Sequence, residues 1–285
     1  MKKLDKIDLR DKIIVVTGGA GELCGCFSKA LADCGAKVAI LDLRKEAAEE
    51  LANNIIKKGG IAIGIEANVL QIKSLLKAEM ILKREFGLCN ILINGAGGNH
   101  PKGTTSNEFF TFEDLNREKE GLITFFDLDQ KGIEFVFNLN FLGTLLTTQV
   151  FAKHMINQKC GIIINISSMN AFTPLTKIPA YSGAKAAVSN FTQWLAVYFS
   201  KVGIRVNAIA PGFFLTEQNR ALLTNKDGSL TSRAQKILNM TPMGRFGTPE
   251  ELIGTLLWLV DDSASSFVNG VIIPVDGGFS AYSGV

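Results

Sequence analysis

The sequence has little of the chemistry that builds metal centres or disulfide frameworks. Its 285 residues include only two histidines, His100 and His154, which lie far apart in the chain. Its five cysteines are scattered and none forms a C-x-x-C pair, so neither a zinc site nor a disulfide framework is supported. The simplest interpretation is reduced, mostly buried thiols in a cytoplasmic protein.

Long apolar runs and an excess of one charge sign are also missing. No apolar run reaches the roughly 18 residues that cross a bilayer, and the first residues mix both charge signs, unlike a signal peptide. The formal net charge is only +3, and no basic cluster is interleaved with aromatic residues. We therefore expect neither a membrane nor a nucleic acid as partner. The apolar fraction of 47%, without a break in composition, fits one large domain over residues 1–285.

What the sequence does contain is a regular alternation of short apolar runs with longer helical patterns, from Ile13 onward. This order predicts an α/β fold, with a parallel sheet covered by helices on both faces. Residues 99–133 and 213–247 lack the alternation, and we interpret them as irregular excursions outside the sheet. A long helix is predicted from about Ile133 to Gln158.

A glycine-rich turn, from Thr17 to Leu23, joins the first predicted strand to the first predicted helix. It includes Gly18, Gly21 and Glu22. Such a turn lets the backbone approach a pyrophosphate, which then lies at the helix N-terminus. A flexible turn with no ligand is the alternative, but the position between strand and helix is the one that dinucleotide binding requires.

Asp42 ends the second predicted strand, about twenty residues after the turn. A carboxylate there can accept hydrogen bonds from both hydroxyls of an adenine ribose and would repel a 2′-phosphate. We therefore predict NAD rather than NADP as cofactor. Arg44 would weaken this preference, and the alternative is that both residues are simply charges at the end of a strand.

The most informative spacing joins Ser168, Tyr181 and Lys185, because Tyr181 lies thirteen positions after Ser168 and four before Lys185. On a helix, positions i and i+4 share one face. An ammonium near a phenol stabilises the phenolate and lowers its pKa from about 10. Such a phenol can exchange a proton with a substrate alcohol, which the serine would also hydrogen-bond. Taken alone, the Tyr/Lys pair is more often an ordinary helix start.

These features, in this order, resemble the short-chain dehydrogenase/reductase family over essentially the whole chain. The resemblance implies a single, doubly wound Rossmann domain with a parallel sheet. The marks that carry it are the turn at Thr17-Gly18, the segment Asn94-Gly95-Ala96-Gly97, Asn140, the set Ser168, Tyr181 and Lys185, and the segment Pro211 to Thr216.

The resemblance also implies a role for each mark. Tyr181 would be the general acid/base, and Ser168 would orient the substrate oxygen. Lys185 would lower the tyrosine pKa and hold the nicotinamide ribose, while Asn140 would support a water that links Lys185 to solvent. The further cofactor-binding positions that it implies are Asn68, Val69, Asn94, Gly95, Ala96, Gly97, Pro211, Gly212, Phe214 and Thr216.

The chain departs from the family pattern in two places. The family turn has glycines where this chain has Glu22 and Cys24, and asparagine is common where it has Gly95. Glu22 places a negative charge near a phosphate site, so we expect weaker cofactor affinity unless its side chain turns to solvent.

Within the family, the resemblance is closest to members that oxidise hexonates, which implies a small sugar-acid substrate. Lys177 or Arg220 would pair with its carboxylate, a bidentate arginine being the stronger choice. Each could instead be a solvated loop charge. The other candidate substrate residues are Asn99, His100, Ser168, Asn170, Gln218 and Asn219.

Three alternatives stay open. The substrate could be another polyol or sugar acid, such as gluconate, acted on by the same residues. The aromatic residues Phe109, Phe110, Phe125 and Phe126 of the first excursion also allow an apolar substrate, although packing explains them without a ligand. A dinucleotide-binding sensor or scaffold without turnover is favoured only by Glu22 and Cys24. The resemblance finally implies a homo-oligomer, a dimer or tetramer assembled through the long helices.

Overall fold

The computed structural model describes residues 7–116, 121–216, 220 and 223–284. Its described strands form one parallel sheet in the order β3-β2-β1-β4-β5-β6-β7. The strand order reverses between β1 and β4, where an open α/β sheet leaves a crevice at its carboxyl edge. The strands are β1 (Ile13–Thr17), β2 (Lys37–Asp42), β3 (Ile61–Glu66), β4 (Ile91–Asn94), β5 (Gly161–Ile166), β6 (Ile204–Pro211) and β7 (Ile272–Val275).

Helices cover both faces of the sheet, as the alternating sequence predicts. Neighbouring strand residues point to opposite faces, so Ile14 and Val16 join the core under α1, α2 and α8, while Val15 joins the core under α3, α5 and α6. The helices are α1 (Glu22–Asp33), α2 (Lys45–Lys57), α3 (Ile72–Glu85), α4 (Gln130–Phe137), α5 (Gly143–Gln158), α6 (Pro179–Tyr198), α7 (Ser232–Asn239), α8 (Ile253–Val260) and α9 (Asp262–Ser265).

A π turn, Asn138–Leu142, joins α4 and α5 into a continuous helix from Gln130 to Gln158. The helix begins earlier than predicted because the Asp129 carboxylate accepts a hydrogen bond from Gly132 N (2.8 Å) and caps it. By length and mean hydropathy alone this helix could cross a membrane, a test that core helices also pass. Half of its apolar window is buried, and α5 packs on α3, β4 and β5, so the helix belongs to the core.

The two excursions differ in their secondary structure. The first holds short 3-10 turns before α4 begins within it at Gln130. The second was predicted to be irregular, and this is wrong over Ser232–Asn239, which form α7. Only Ala234 and Ile237 of α7 are buried, so its apolar pattern is too sparse to identify from sequence. The assignment of residues 1–285 to one domain stays a prediction.

Candidate active site

The glycine-rich turn fits closely against the end of β4. Gly18 has φ +60°, and a Cβ there would lie 2.9 Å from Ala96 Cα, so only glycine fits. The Thr17 hydroxyl accepts hydrogen bonds from Gly95 N (3.1 Å) and Ala96 N (3.3 Å). The turn and the segment after β4 therefore form one fixed surface at the crevice.

The N-terminus of α1 opens at this turn without a capping side chain. Gly21 is the N-cap and supplies no side-chain hydrogen bond. The orphan N–H groups of a first helical turn and the helix dipole favour an anion. Glu22, the first helical residue, has an exposed side chain. Because the Glu22 side chain is exposed to solvent, we expect its charge to weaken phosphate binding only a little. The turn therefore suits the pyrophosphate of a dinucleotide.

Cys24 and Gly95, two positions at which the chain departs from the family pattern, lie against each other. A Cβ at Gly95 would overlap Cys24 Sγ and would also lie 2.9 Å from Thr17 O. Cys24 is buried, and burial raises the pKa of its thiol to about 12. The neutral thiol thus fills, from the α1 side, space that a side chain at position 95 would need.

Asp42 lies at the end of β2 with only 7% of its surface exposed. Its Oδ2 accepts from Ala20 N (3.2 Å) and its Oδ1 from Arg44 N (3.0 Å), so the carboxylate is fixed against the turn. A carboxylate oxygen can accept more than one hydrogen bond, which leaves capacity for ribose hydroxyls. The Arg44 side chain is exposed and its Nε lies 3.4 Å from Asp42 Oδ1.

Asn94 does not direct its side chain to the crevice. Its Nδ2 donates to Thr148 Oγ1 (3.0 Å) and to Asn165 Oδ1 (2.9 Å), which ties β4 to α5 and β5. The predicted cofactor contact of Asn94 can therefore involve only its backbone.

Three other predicted cofactor residues also use their side chains elsewhere. Val69 and Phe214 are buried in the two cores. Asn68 Oδ1 accepts from Leu70 N (2.9 Å), which shapes the turn before α3. The resemblance locates these segments near the cofactor without saying which atoms face it, so their contacts with the cofactor stay a prediction.

The segment from Pro211 to Thr216 leaves the sheet beside β7. Gly212 N donates to Val275 O (2.9 Å), and a Cβ at Gly212 would collide with Asp276. Thr216 is half-buried, and its carbonyl accepts from Arg220 N (2.8 Å). Gly212 thus lets this segment approach Val275 and Asp276 closely, which positions it over the carboxyl edge of β6.

The structure brings Ser168, Tyr181 and Lys185 together as predicted. Ser168 Oγ accepts from Asn170 N (3.2 Å) at the start of a 3-10 turn, Met169–Ala171, and is hydrogen-bonded to the Tyr181 phenol. Tyr181 lies in the first turn of α6. One helical turn later, Lys185 Nζ lies 5.6 Å from the centre of the tyrosine ring.

The pKa of Tyr181 corrects the sequence prediction. Burial raises it to about 12, and the hydrogen bond with Ser168 acts only weakly in the other direction. Burial likewise lowers the pKa of Lys185 to about 8. The sequence argument considered the charge of the lysine but not the loss of water around both groups, which here favours the neutral form of each.

Asn140 lies in the π turn and is buried. Its Nδ2 donates to Gly98 O (2.7 Å) and Val136 O (2.8 Å), and its Oδ1 accepts from Gly98 N (3.2 Å). A Cβ at Gly97 would lie 2.6 Å from Asn140 Oδ1 and 3.1 Å from Lys185 Nζ. Asn140 and Lys185 therefore meet at the carboxyl end of β4, where Lys185 Nζ also donates to Ile166 O (2.8 Å).

Among the predicted substrate residues, Asn170 fits best. It is 5% exposed, and its Oδ1 is buried without a hydrogen-bond partner in the described structure, two positions from Ser168. Asn99 is exposed and donates to Thr104 Oγ1 (3.2 Å). His100 accepts from Lys102 N (3.2 Å) and its ring contacts Phe135, so it has a structural role in the first excursion.

Lys177 and Arg220 are placed differently. Lys177 is half-buried, has φ +72°, and lines two neighbouring cavities at the carboxyl edge of the sheet. Arg220 is exposed and is not in the described lining of either cavity. Gln218 and Asn219 lie outside the described residues. Sequence reasoning missed Glu108, Arg233 and Lys236, which line the cavity that Lys177 shares with α7.

Comparisons with known proteins agree with this geometry. The family model of the short chain dehydrogenases matches residues 12–227. An uncharacterized oxidoreductase from Haemophilus influenzae is 62% identical, over 98% of this chain and 96% of its own length. A solved structure from Haemophilus influenzae, provisionally described as a D-mannonate oxidoreductase with bound NAD, is 60% identical over 98% of both chains, with a TM-score of 0.93. The 5-keto-D-gluconate 5-reductase of Escherichia coli is 30% identical, over 96% of this chain and 97% of its own.

Proposed function

Because this chain belongs to the short-chain dehydrogenase family, we propose that it is an NAD-dependent oxidoreductase that interconverts D-mannonate and D-fructuronate. The observation that carries the proposal is the joint position of Ser168, Tyr181, Lys185 and Asn140 at the carboxyl edge of the sheet. Ordinary helix packing does not require an ammonium buried beside a phenol, which costs desolvation energy.

In the oxidation direction, the substrate C–H bond gives a hydride and its O–H bond gives a proton. NAD, when bound, supplies the nicotinamide that accepts the hydride. Tyr181 accepts the proton, and Ser168 hydrogen-bonds the same substrate oxygen and holds the carbinol in line. The Lys185 ammonium, 5.6 Å from the centre of the ring, would offset part of the burial cost of ionising Tyr181 as the proton is transferred. Asn140 supports the path by which the proton leaves through Lys185, and reduction runs through the same groups in reverse.

For the cofactor, the uncapped α1 N-terminus would hold the pyrophosphate and Asp42 the adenine ribose. The negative charge of Asp42 supports NAD over NADP, and the Haemophilus influenzae structure described with bound NAD is consistent with this preference. Exposed Arg44 is the residue that would favour NADP if it turned toward the ribose.

For the substrate, a hexonate is supported by the polar atoms near the catalytic set. Asn170 Oδ1 offers a buried acceptor for a substrate hydroxyl, and Lys177 offers a cation for the carboxylate. The provisional description of the Haemophilus influenzae structure favours D-mannonate. The second candidate is a gluconate-type sugar acid, which the Escherichia coli relative supports.

We also propose a homo-oligomer that forms through the long helices. On α6, Trp194 and Tyr198 stack with ring centres 4.7 Å apart although they are 54% and 65% exposed. Exposed aromatic residues of this kind commonly mark an interface. Light scattering coupled to gel filtration should give a dimer or tetramer, and a monomer would contradict this part of the proposal.

The activity is tested with a panel of hexonates and hexuronates offered with NAD(H) and NADP(H), followed by nicotinamide absorbance. We expect D-mannonate with NAD, and D-fructuronate with NADH, to give the highest kcat/KM. Tyr181→Phe should lower kcat by about 10³-fold and leave NADH affinity within about twofold. The matched control is Tyr282→Phe, which changes an exposed tyrosine outside the catalytic set and outside α6. Unchanged D-mannonate oxidation by Tyr181→Phe would contradict the mechanism, and NADH binding without turnover of any substrate would favour a sensor or scaffold.

A further inference from the structure

A cavity of about 480 Å³ is bordered by Phe213, which follows β6, and by residues 175–177 of the connection that leads from Ser168 to Tyr181. Its walls come from the first excursion, the Ser168–Tyr181 connection, α7, and Phe213, which follows Gly212. The volume is in the range of small-molecule sites. Phe213 and Phe279, with ring centres 5.3 Å apart, form part of an apolar wall that suits the C–H faces of a carbon chain.

The polar side of this cavity carries an excess of positive charge. Arg233 and Lys236 are three positions apart on α7 and thus share one helix face. Lys177 enters from the connection before Tyr181. Within the described lining, Glu108 is the one carboxylate that faces these three cations.

Glu108 is already paired as a substrate carboxylate would be. Lys236 Nζ donates to both of its oxygens, at 3.0 and 2.9 Å, across 128 positions of sequence. The pKa of Glu108 is lowered, chiefly by this hydrogen bond with Lys236 and further by the charges of Lys177 and Arg233. Within the lining of this cavity one carboxylate therefore faces three cations, and Lys177 also borders the neighbouring cavity that Glu113 and Asp114 line.

Lys177 is held toward the cavity by its backbone. Its φ of +72° is unusual for a residue other than glycine. The conformation is fixed because Thr105 N donates to Lys177 O (2.9 Å). Such strain persists only where surrounding contacts enforce it, so the position of this cation is built into the fold.

We propose that Lys177, Arg233 and Lys236 form a subsite for the carboxylate of the substrate, and that Glu108 occupies this subsite when substrate is absent. The inference rests on the proposed function and deepens it, because it names the residues that select an anionic substrate. Substrate binding then exchanges one carboxylate for another on Lys236, and Glu108 competes with the substrate.

The test measures KM for D-mannonate in Arg233→Gln, Lys236→Gln and Lys177→Asn. Asparagine is chosen at position 177 because it tolerates positive φ. We expect KM to rise about tenfold in each variant, with kcat and NADH affinity within about twofold. The KM of the wild type should rise with NaCl, and this rise should be smaller in the double variant Arg233→Gln/Lys236→Gln. The matched control is Lys226→Gln, an exposed lysine of the same excursion that is not in the described lining of this cavity.

Competition is tested separately with Glu108→Gln, which keeps the shape of the side chain but removes its charge. We expect KM for D-mannonate to fall by about threefold at unchanged kcat. An unchanged or higher KM would overturn the role of Glu108, and unchanged KM in the three cation variants would overturn the subsite. If the wild type oxidises no hexonate, the proposed function itself fails, which is a distinct outcome of the same assays.

Discussion

The cofactor side and the substrate side of the crevice differ in how their polar side chains are held. On the cofactor side, Thr17 and Asp42 are buried and bonded to backbone N–H groups of the turn and of the segment after β4. On the substrate side, Arg233 and Lys236 are exposed on a short helix. We expect polar atoms fixed by the sheet edge to suit a single cofactor, whereas cations on excursions can differ with the substrate without disturbing the fold.

The largest effect should come from the residue at the junction of the two sides. Lys185→Met removes a buried ammonium and keeps the volume of the side chain, so we expect kcat to fall at least 100-fold. The melting temperature should not fall, because a buried charge is costly. The control is Lys201→Met at an exposed lysine. If Lys185→Met raised only the KM for the substrate and left kcat unchanged, Lys185 would belong to the substrate side and not to the junction of the two sides.

The next effect tests how tightly the cofactor side is packed. Gly95→Asn should overlap the Cys24 thiol and weaken NADH binding by about 10- to 100-fold, from an overpacking cost of about 1–3 kcal/mol. The double variant Cys24→Gly/Gly95→Asn should recover the part of this loss that the thiol causes, as measured by NADH fluorescence titration, while the close contact with Thr17 O remains. If Gly95→Asn alone binds NADH normally, the two positions are independent and the cofactor side is less tightly packed than described.

The pH dependence of reduction should show the ionisation of Lys185 at the junction of the two sides. Reduction needs a proton on Tyr181, whose pKa of about 12 keeps it protonated, and a charged Lys185, whose pKa is about 8. We therefore expect kcat/KM for D-fructuronate to be flat below pH 8 and to fall about tenfold per pH unit above it. Profiles measured from pH 6 to 10 in a constant-ionic-strength buffer check this. A kcat/KM that rose above pH 8 would show that reduction needs Lys185 neutral rather than charged, contrary to the role assigned to it.

The smallest effect concerns cofactor choice. Asp42→Ala removes the charge that faces a 2′-phosphate, so we expect the NAD-to-NADP ratio of kcat/KM to fall about tenfold. KM for D-mannonate should stay within about twofold if the two sides are energetically separate. Asp33→Ala, at the exposed end of α1, is the control. A wild type that prefers NADP would show that Arg44, not Asp42, governs the selection.

The parts that could be predicted from sequence depend on local periodicity. Strand and helix alternation gave the sheet, and the i, i+4 spacing of Tyr181 and Lys185 placed both on one face of α6. The glycine-rich turn could be identified because it lies between a predicted strand and a predicted helix. Each of these signals lies within a few residues of chain.

The parts that sequence missed depend on distant contacts or on burial. Glu108 meets Lys236 across 128 positions, and neither residue belongs to a local pattern that marks a site. The pKa of Tyr181 was predicted in the wrong direction because solvent exclusion follows from packing, not from spacing. The hydrogen bonds by which the Asn94 side chain ties β4 to α5 and β5 likewise join segments that are distant in sequence.

The π turn between α4 and α5 has a consequence for insertions and deletions. Gly143 N donates to Asn138 O, five residues back, so the turn holds one residue more than an α-helix would. Each helical residue rotates the next by about 100°. Removing one residue from this turn would therefore restore a regular α-helix and keep the later side chains of α5 on the sheet, whereas Asn140 would lose its own position. A deletion of one residue elsewhere in α4 or α5 would instead rotate the side chains beyond it by about 100°, so we expect a homologous helix that is one residue shorter to lack the turn itself.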